Sequence, residues 1–386
     1  MISLGGGYPN PDTFIFQDVA FNFKGDQPSV SLNGDSLVKA SQYGPSRCDP
    51  HFEEVLLKWH RAKGGKVLDE GEVAVLNGSQ EGLFILAYLM IDEGDCVVVS
   101  EPTYPGAISA FSAFQASYCP IEIDEHGMNT DLLEETLNER RKNGMIPPKM
   151  VYVIPNGHNP GGVTMSFERR KHLLRIASDN DLIIVEDDPY QLINYTDETI
   201  VSLQELDTEG RVIRLDSFSK IFVPGFRIGY VSGAKDIVRY FELYKQSSNL
   251  HTSSFNQRVI ASYLKEAGSE SLLNHIKGSC ALYKKNRDAM VDAAMEFLPE
   301  SVNFNIPQSG LFIWFSLGEE VNCEAMHRRF TESHKVLLVP GSAFSTKGGC
   351  VNCMRASFST VKQEDIRVGI ERFAEMITDF RVESRR

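Results

Sequence analysis

No apolar run in this 386-residue chain approaches the ~20 residues that a membrane-spanning helix needs, so no helical anchor is expected. Positive charge is also scarce. Lysine and arginine number 39 against 52 aspartate and glutamate, a net charge of −13. That balance argues against a nucleic-acid surface and against binding to anionic membranes. The first 23 residues hold no lysine or arginine and two aspartates, which fits neither a signal peptide nor a mitochondrial presequence. The cytoplasm is the expected compartment, with the mitochondrial matrix as the alternative if a targeting segment precedes Met1. Cysteines are few, odd in number and scattered, seven in all, which suits reduced thiols. Cys350 and Cys353 form a CxxC, but no second pair or suitably spaced histidines complete a zinc site, and no metal is expected. No repeat or low-complexity stretch occurs. No G-x-G-x-x-G follows a strand-like run, which disfavours a nicotinamide dehydrogenase.

What is present is ordinary in bulk and specific in detail. The length allows two sizeable domains. A hydrophobic share of 42% and a charged share of 24% are those of a globular enzyme. The run RLDSFSKIFVPGFRIGY is the most informative stretch. A strand-like segment, Val212 to Leu215, leads into Ser-x-Ser-Lys, and Arg227 follows Lys220 by seven residues before a second strand-like segment, IGYV. A lysine there suits a Schiff base with an aldehyde once its surroundings lower its pKa. Ser217, Ser219 and Arg227 suit a phosphate dianion through charge-assisted hydrogen bonds. Pyridoxal 5'-phosphate (PLP) joins an aldehyde and a phosphate on one ring. Taken alone, the SxSK motif equally describes a surface lysine in a serine-rich turn.

Four more junctions of the same kind bear on the choice. MVYVI ends in PNGHNPGG, carrying Asn156 and Asn159; LIIVE ends in DDPY, carrying Asp187, Asp188 and Tyr190. CVVVS ends in EPTYPG, carrying Tyr104, and VAVLNGSQEGL reads as strand, glycine turn and a helix opening near Ser79 and Gln80. Short aliphatic runs that end in polar or Gly/Pro residues are typical of parallel α/β strands, whose carboxyl ends face the ligand. A helix opening favours phosphate. Asp187 suits the pyridine nitrogen, Asn159 and Tyr190 the ring's phenolic oxygen, and Tyr104 a stacked face. Read singly, the two aspartates also suit a helix cap and Tyr104 a core aromatic. His158 lies within the asparagine loop, but Lys220 is the better placed base.

The ordered set NGSQEGL, EPTYPG, NGHNPGG, EDDPY, SFSKIFVPGFRIGY and MRASFS resembles the fold-type I PLP aminotransferases over essentially the whole chain. ISLGGGYPNPDTFIF, SNLHTSSFNQ, QSGLFIWF and VPGSAF resemble the kynurenine/2-aminoadipate branch. The resemblance implies an α/β fold: a large domain at 35–282 with a mostly parallel seven-stranded sheet flanked by helices. A smaller α+β domain would comprise 1–34 and 283–386, with the N-terminal segment on the substrate side. It implies that Lys220 carries the cofactor, Asp187 meets the ring nitrogen, and Asn159 and Tyr190 meet the ring hydroxyl. Ser79, Gln80, Ser217, Ser219 and Arg227 would hold the phosphate, Tyr104 would stack on the ring, and Tyr43 would reach the neighbouring subunit's phosphate in a homodimer with shared sites. Arg355, supported by Asn159, would bind the substrate α-carboxylate, with Gly6, Phe312 and Leu250 around its side chain.

Two departures from the family pattern stand out. After QYG the family usually shows a glycine before the next helix, where this chain reads PSRCDPHFEEVL. Relatives also usually carry a helical arm ahead of ISLGGG, and this sequence starts at Met1-Ile2-Ser3. The expected activity is transamination of 2-aminoadipate, kynurenine and other aromatic or long-chain amino acids, with 2-oxoglutarate as acceptor. A β-eliminating lyase of the same fold is the first rival. The second is a non-catalytic aminotransferase-like ligand sensor. Such regulators carry a DNA-binding domain ahead of this fold, for which no room is expected here.

Overall fold

The computed structural model describes residues 5–25 and 27–384. Ile2, Ser3 and Leu4 of the opening motif lie outside the described residues. The chain divides into two compact units, one comprising Met1–Ile85 and Ile213–Ile276, the other Leu86–Val212 and Lys277–Arg386. In chain order the strands are β1 (Asp18–Phe21), β2 (Val30–Asn33), β3 (Val73–Leu76), β4 (Cys96–Glu101), β5 (Ser117–Asp124), β6 (Gly127–Met128) and β7 (Met150–Val153). There follow β8 (Ile183–Asp187), β9 (Val212–Ser217), β10 (Gly229–Ser232), β11 (Asn303–Phe304), β12 (Phe312–Ser316), β13 (Val339–Pro340) and β14 (Cys353–Ser357).

In the first unit the sheet strands run β3-β10-β9. Strand β10 is antiparallel to both neighbours, so β3 and β9 point the same way and their carboxyl ends share one edge. A separate β1-β2 ribbon packs its apolar residues with Leu37, Ala40 and Val259. In the second unit the order is β8-β7-β4-β5-β6, with β8, β7, β4 and β5 mutually parallel. Every residue of β4 and β7 is buried, which explains their largely apolar character, since parallel strands are covered on both faces. The two runs hold eight strands, three and five, where seven were expected. The short β6 pairs back onto the end of β5 by only two residues, too few to leave a strand signature in sequence.

The second unit also contains the four-stranded sheet β11-β12-β14-β13. Its core joins Ile313, Phe315, Met354 and Phe358 to Phe373, Ile377 and Phe380 of the closing helix Gln363–Ser384. The run FIWFSL and the run MRASFS thus form strands, and the two pair antiparallel. ETLNERRKNG forms the end of the helix Thr130–Lys142, with Arg140, Arg141 and Lys142 in its last turn, where cations complement the helix dipole.

The asparagine loop after β7 is set by close backbone packing. Gly157 has φ +52, and a Cβ there would lie 2.4 Å from the Cα of Gly310. Gly310, at φ +77, would put its own Cβ 2.7 Å from Gly157. Neither neighbour is a side chain that can swing away. Gly157→Ala should therefore cost roughly 3 kcal/mol from backbone strain and overpacking together. Gly144→Ala, at φ +63 with nothing within 4 Å, should cost about 1 kcal/mol from strain alone. Thermal or urea unfolding of both variants tests the difference, and equal losses would refute the packing argument.

Candidate active site

The first unit gathers one set of the expected residues. Ser79 opens the helix Ser79–Met90, and Glu81 reaches back to accept from the backbone of Asn77 at 2.7 Å and its side-chain amide at 3.0 Å, a capping arrangement that fixes the turn. Arg227 lies in the left-handed region, at φ +53. Its guanidinium donates to Ser219 Oγ at 3.2 Å and to the carbonyl of Asn77 at 3.2 Å. Ser219 N donates to Ser217 Oγ at 3.1 Å. Between these groups sits Gly78, where a Cβ would meet the Arg227 guanidinium at 2.3 Å; only glycine lets the arginine lie over the helix opening. Arg227 is exposed and has no carboxylate at ion-pair distance among the described residues. Lys220, directly after Ser219, is exposed. A helix opening, hydroxyls and an unneutralised guanidinium form a donor set that fits a phosphate.

Behind this edge lies a buried ionic cluster that no motif revealed. Asp216, one residue before Ser217, accepts from Lys63 Nζ at 2.6 Å and from Arg214 at 3.0 and 3.1 Å. His60 Nδ1 meets Tyr230 Oη at 2.9 Å and lies 3.8 Å from Asp216. Burial alone would raise the Asp216 carboxyl, but Arg214, Lys63 and His60 outweigh it and hold it well below the usual range. Burial and Lys63 push His60 down to about 3, so it is neutral at pH 7.

The second unit gathers the other set. Asp187, the last residue of β8, is buried and accepts from Tyr152 Oη at 2.8 Å. Asp188 turns elsewhere: it accepts from Asn156 Nδ2 at 2.6 Å, and Asn156 Oδ1 accepts from Arg170 at 2.7 Å. Glu186, also buried, caps a short helix by accepting from Leu203 N at 2.9 Å and Gln204 N at 3.1 Å. Three successive carboxylates thus have three different partners. Burial, reinforced by Asp187, raises the Tyr152 hydroxyl well above its ordinary value, and the same causes raise Tyr190. Arg355 on β14 donates to Asn159 Oδ1 at 2.8 Å, and Phe312 lies 4.4 Å beneath its guanidinium. Burial lowers the Arg355 pKa, while Tyr190 and Tyr104 oppose that shift. Its Nε has no hydrogen-bond partner, and no carboxylate reaches it among the described residues.

The other expected residues are placed as follows. Tyr104 is half-buried at the start of the helix Pro105–Ser112. Tyr43 is exposed, beside Tyr8 and His251. Leu250 is exposed at φ +65, and Gly6 is exposed. His158 is buried and, mainly for that reason, pushed down to about 4. Cys350 and Cys353 are free thiols, and no metal-holding cluster occurs among the described residues.

The family model for aminotransferase class I and II matches residues 35–373. The chain belongs to that family. This aminotransferase is 38% identical over 379 residues to aromatic-amino-acid aminotransferase 1 of Thermococcus litoralis, covering 98% of this chain and 88% of that protein. It is 30% identical to the mitochondrial kynurenine/alpha-aminoadipate aminotransferase of Bos taurus, covering 98% and 92%. Among solved structures it resembles Pyrococcus horikoshii kynurenine aminotransferase in complex with PMP, at a TM-score of 0.84 and 38% identity, covering 89% and 84%. The aminotransferase is a PLP-dependent transferase of fold type I.

Asp216 generates a prediction about stability. Its folded pKa is depressed, so its contribution is fully present above the unfolded value near 4 and is lost as pH falls below it. Asp216→Asn should cost about 3–5 kcal/mol at pH 7, because Lys63 and Arg214 lose a buried carboxylate. The gap between wild type and variant should narrow as pH falls below about 4. Urea midpoints across that range test the sign; a gap that widens in acid would refute it.

Proposed function

We propose that this aminotransferase moves the amino group of 2-aminoadipate, kynurenine and other aromatic or long-chain amino acids to 2-oxoglutarate. The observation that carries the reading is Arg355, a half-buried guanidinium held by an amide and an aromatic face, with no carboxylate to neutralise it. A substrate α-carboxylate is the partner its fork geometry suits. The names of the Thermococcus litoralis, Bos taurus and Pyrococcus horikoshii relatives support the aromatic, kynurenine and aminoadipate range. Phe312 offers an apolar wall rather than a second fixed arginine, which suits a site that takes both acidic and aromatic side chains.

PLP, when bound, supplies the electron sink that makes the substrate α-proton labile. Lys220 Nζ would hold the cofactor covalently and, once released, carry the proton. Ser79, Gln80, Ser217, Ser219 and Arg227 would hold the phosphate, and Asp187 the ring nitrogen, with Tyr152 orienting that carboxylate. Asn159 and Tyr190 would bind the ring hydroxyl, and Tyr104 would cover the ring. Tyr43, exposed in this chain, would serve the phosphate of a second copy in a homodimer, with Leu250 and Gly6 near the substrate. The separate core joining β12, β14 and the closing helix supports a small domain beginning near residue 283. No helix among the described residues is long and apolar enough to cross a membrane; for the compartment we propose the cytoplasm, with the mitochondrial matrix as the alternative.

A donor screen with 2-oxoglutarate, read as glutamate formed, tests the range. Activity should appear with both 2-aminoadipate and kynurenine and be weak with aspartate; a strong preference for aspartate would overturn it. Lys220→Ala should abolish the pH-dependent visible absorbance of bound cofactor and lower turnover by several orders of magnitude. Asp187→Asn should lower kcat far more than Asp188→Asn, whereas Asp188→Asn should lower Tm through the Asn156–Arg170 tie. The reverse pattern would show that the assignment is off by one residue.

A further inference from the structure

Arg355 meets a second aromatic ring besides Phe312. Phe344 is 1% exposed and lies 4.9 Å from the guanidinium carbon. A buried cation loses its hydration, and π faces recover part of that loss while leaving the N–H edge free. A carboxylate at the same position would neutralise the charge but would compete with an incoming anion. The aromatic surroundings therefore orient the guanidinium and leave its N–H edge open to one partner.

The place of Phe344 is itself fixed from several sides. Trp314, opposite Arg355 across the β12–β14 ladder, meets the Phe344 ring edge-on at 5.6 Å. Thr103 N donates to the Phe344 carbonyl at 2.8 Å. Glu101 accepts from Thr346 N at 3.2 Å, from Thr346 Oγ1 at 3.1 Å and from Ser345 Oγ. Glu101 and Thr103 belong to the segment that ends in Tyr104. The residues just after Phe344 are thus fastened to the residues just before Tyr104.

We propose that Phe344 is a positioning residue for carboxylate recognition, aiming the Arg355 guanidinium through its ring face, and that Glu101 latches Phe344 in place. The proposal rests on the reading of Arg355 as the carboxylate site. It goes beyond that reading by assigning specificity for the carboxylate to residues that never touch substrate.

The test uses the holoenzyme and its Phe344→Leu, Phe344→Tyr, Glu101→Gln and Arg355→Lys variants. KM and kcat are measured for an amino donor and for 2-oxoglutarate, with the Ki of 3-phenylpropionate as a carboxylate that cannot react. Phe344→Leu removes the ring and should raise both KM values and the Ki together, roughly 3–30-fold, with kcat changed less than KM. Phe344→Tyr keeps the ring and should restore values near wild type. Glu101→Gln should shift KM and Ki in the same direction by a smaller factor. If Arg355→Lys raises KM and Ki while both Phe344→Leu and Glu101→Gln leave them unchanged, the positioning role is overturned. A fall in kcat alone in Phe344→Leu would overturn it as well. If Arg355→Lys itself leaves KM and Ki unchanged, the failure belongs to the carboxylate reading.

Discussion

Where carboxylates are withheld matters more in this protein than where they are placed. The chain is acidic, yet it must attract a phosphate dianion and substrates that carry carboxylates. Many of its inward-facing cations are neutralised inside the fold: Lys63 and Arg214 by Asp216, Arg258 by Asp49, Arg169 by Asp124. Arg227 and Arg355 are treated differently. Each is tied by hydrogen bonds to neutral oxygens, Ser219 Oγ and the Asn77 carbonyl for one, Asn159 Oδ1 for the other. A guanidinium paired with an internal carboxylate would have to break that pair before binding an anion, and breaking a half-buried pair is costly. Neutral partners orient the fork without neutralising it.

The neutralised cations have a structural task of the opposite kind. Asp216 stands between Leu215 and Ser217 on β9, and its carboxylate faces Lys63 and Arg214 while the next residue begins the SxSK segment. The strand end that leads into Ser217, Ser219 and Lys220 is therefore anchored one residue earlier by charge rather than by apolar contact alone. Lys245 adds a related feature. It is buried, donates to Val75 O and Thr252 Oγ1, and burial pushes it down to about 8. Val75 precedes the Asn77–Gly78 turn by two residues, so the strand leading to the helix opening is also gripped by a cation.

The strand-to-loop junctions were legible because their physics is local. Aliphatic runs buried on both faces and followed by Gly, Pro or Asn announce parallel strands, and the residues just past them announce the ligand edge. The ionic cluster was not legible for an equally physical reason. Arg214 and Asp216 sit inside a run that reads as an apolar strand, and Lys63 arrives from a helix end far away in sequence. Nothing in the local pattern marks them as partners. Phe344 was visible only as part of VPGSAF; its relation to Arg355 depends on a turn pinned by Glu101, more than two hundred residues earlier. The eighth strand escaped notice because two residues carry no periodicity.

The run Glu186-Asp187-Asp188 shows how far three dimensions sharpen a motif. By composition the three carboxylates are interchangeable, and only the family resemblance separated Asp187 from its neighbours. In the fold they divide by task. Glu186 satisfies the free N–H groups of a helix start, which would otherwise be buried without partners. Asp188 ties its strand end to Asn156 and thereby to Arg170, fixing the asparagine loop from one side while Gly157 and Gly310 fix it from another. Asp187 accepts from the Tyr152 phenol. A phenol orients a carboxylate without neutralising it. Orientation by a neutral donor at Asp187 thus parallels orientation by a neutral acceptor at Arg355.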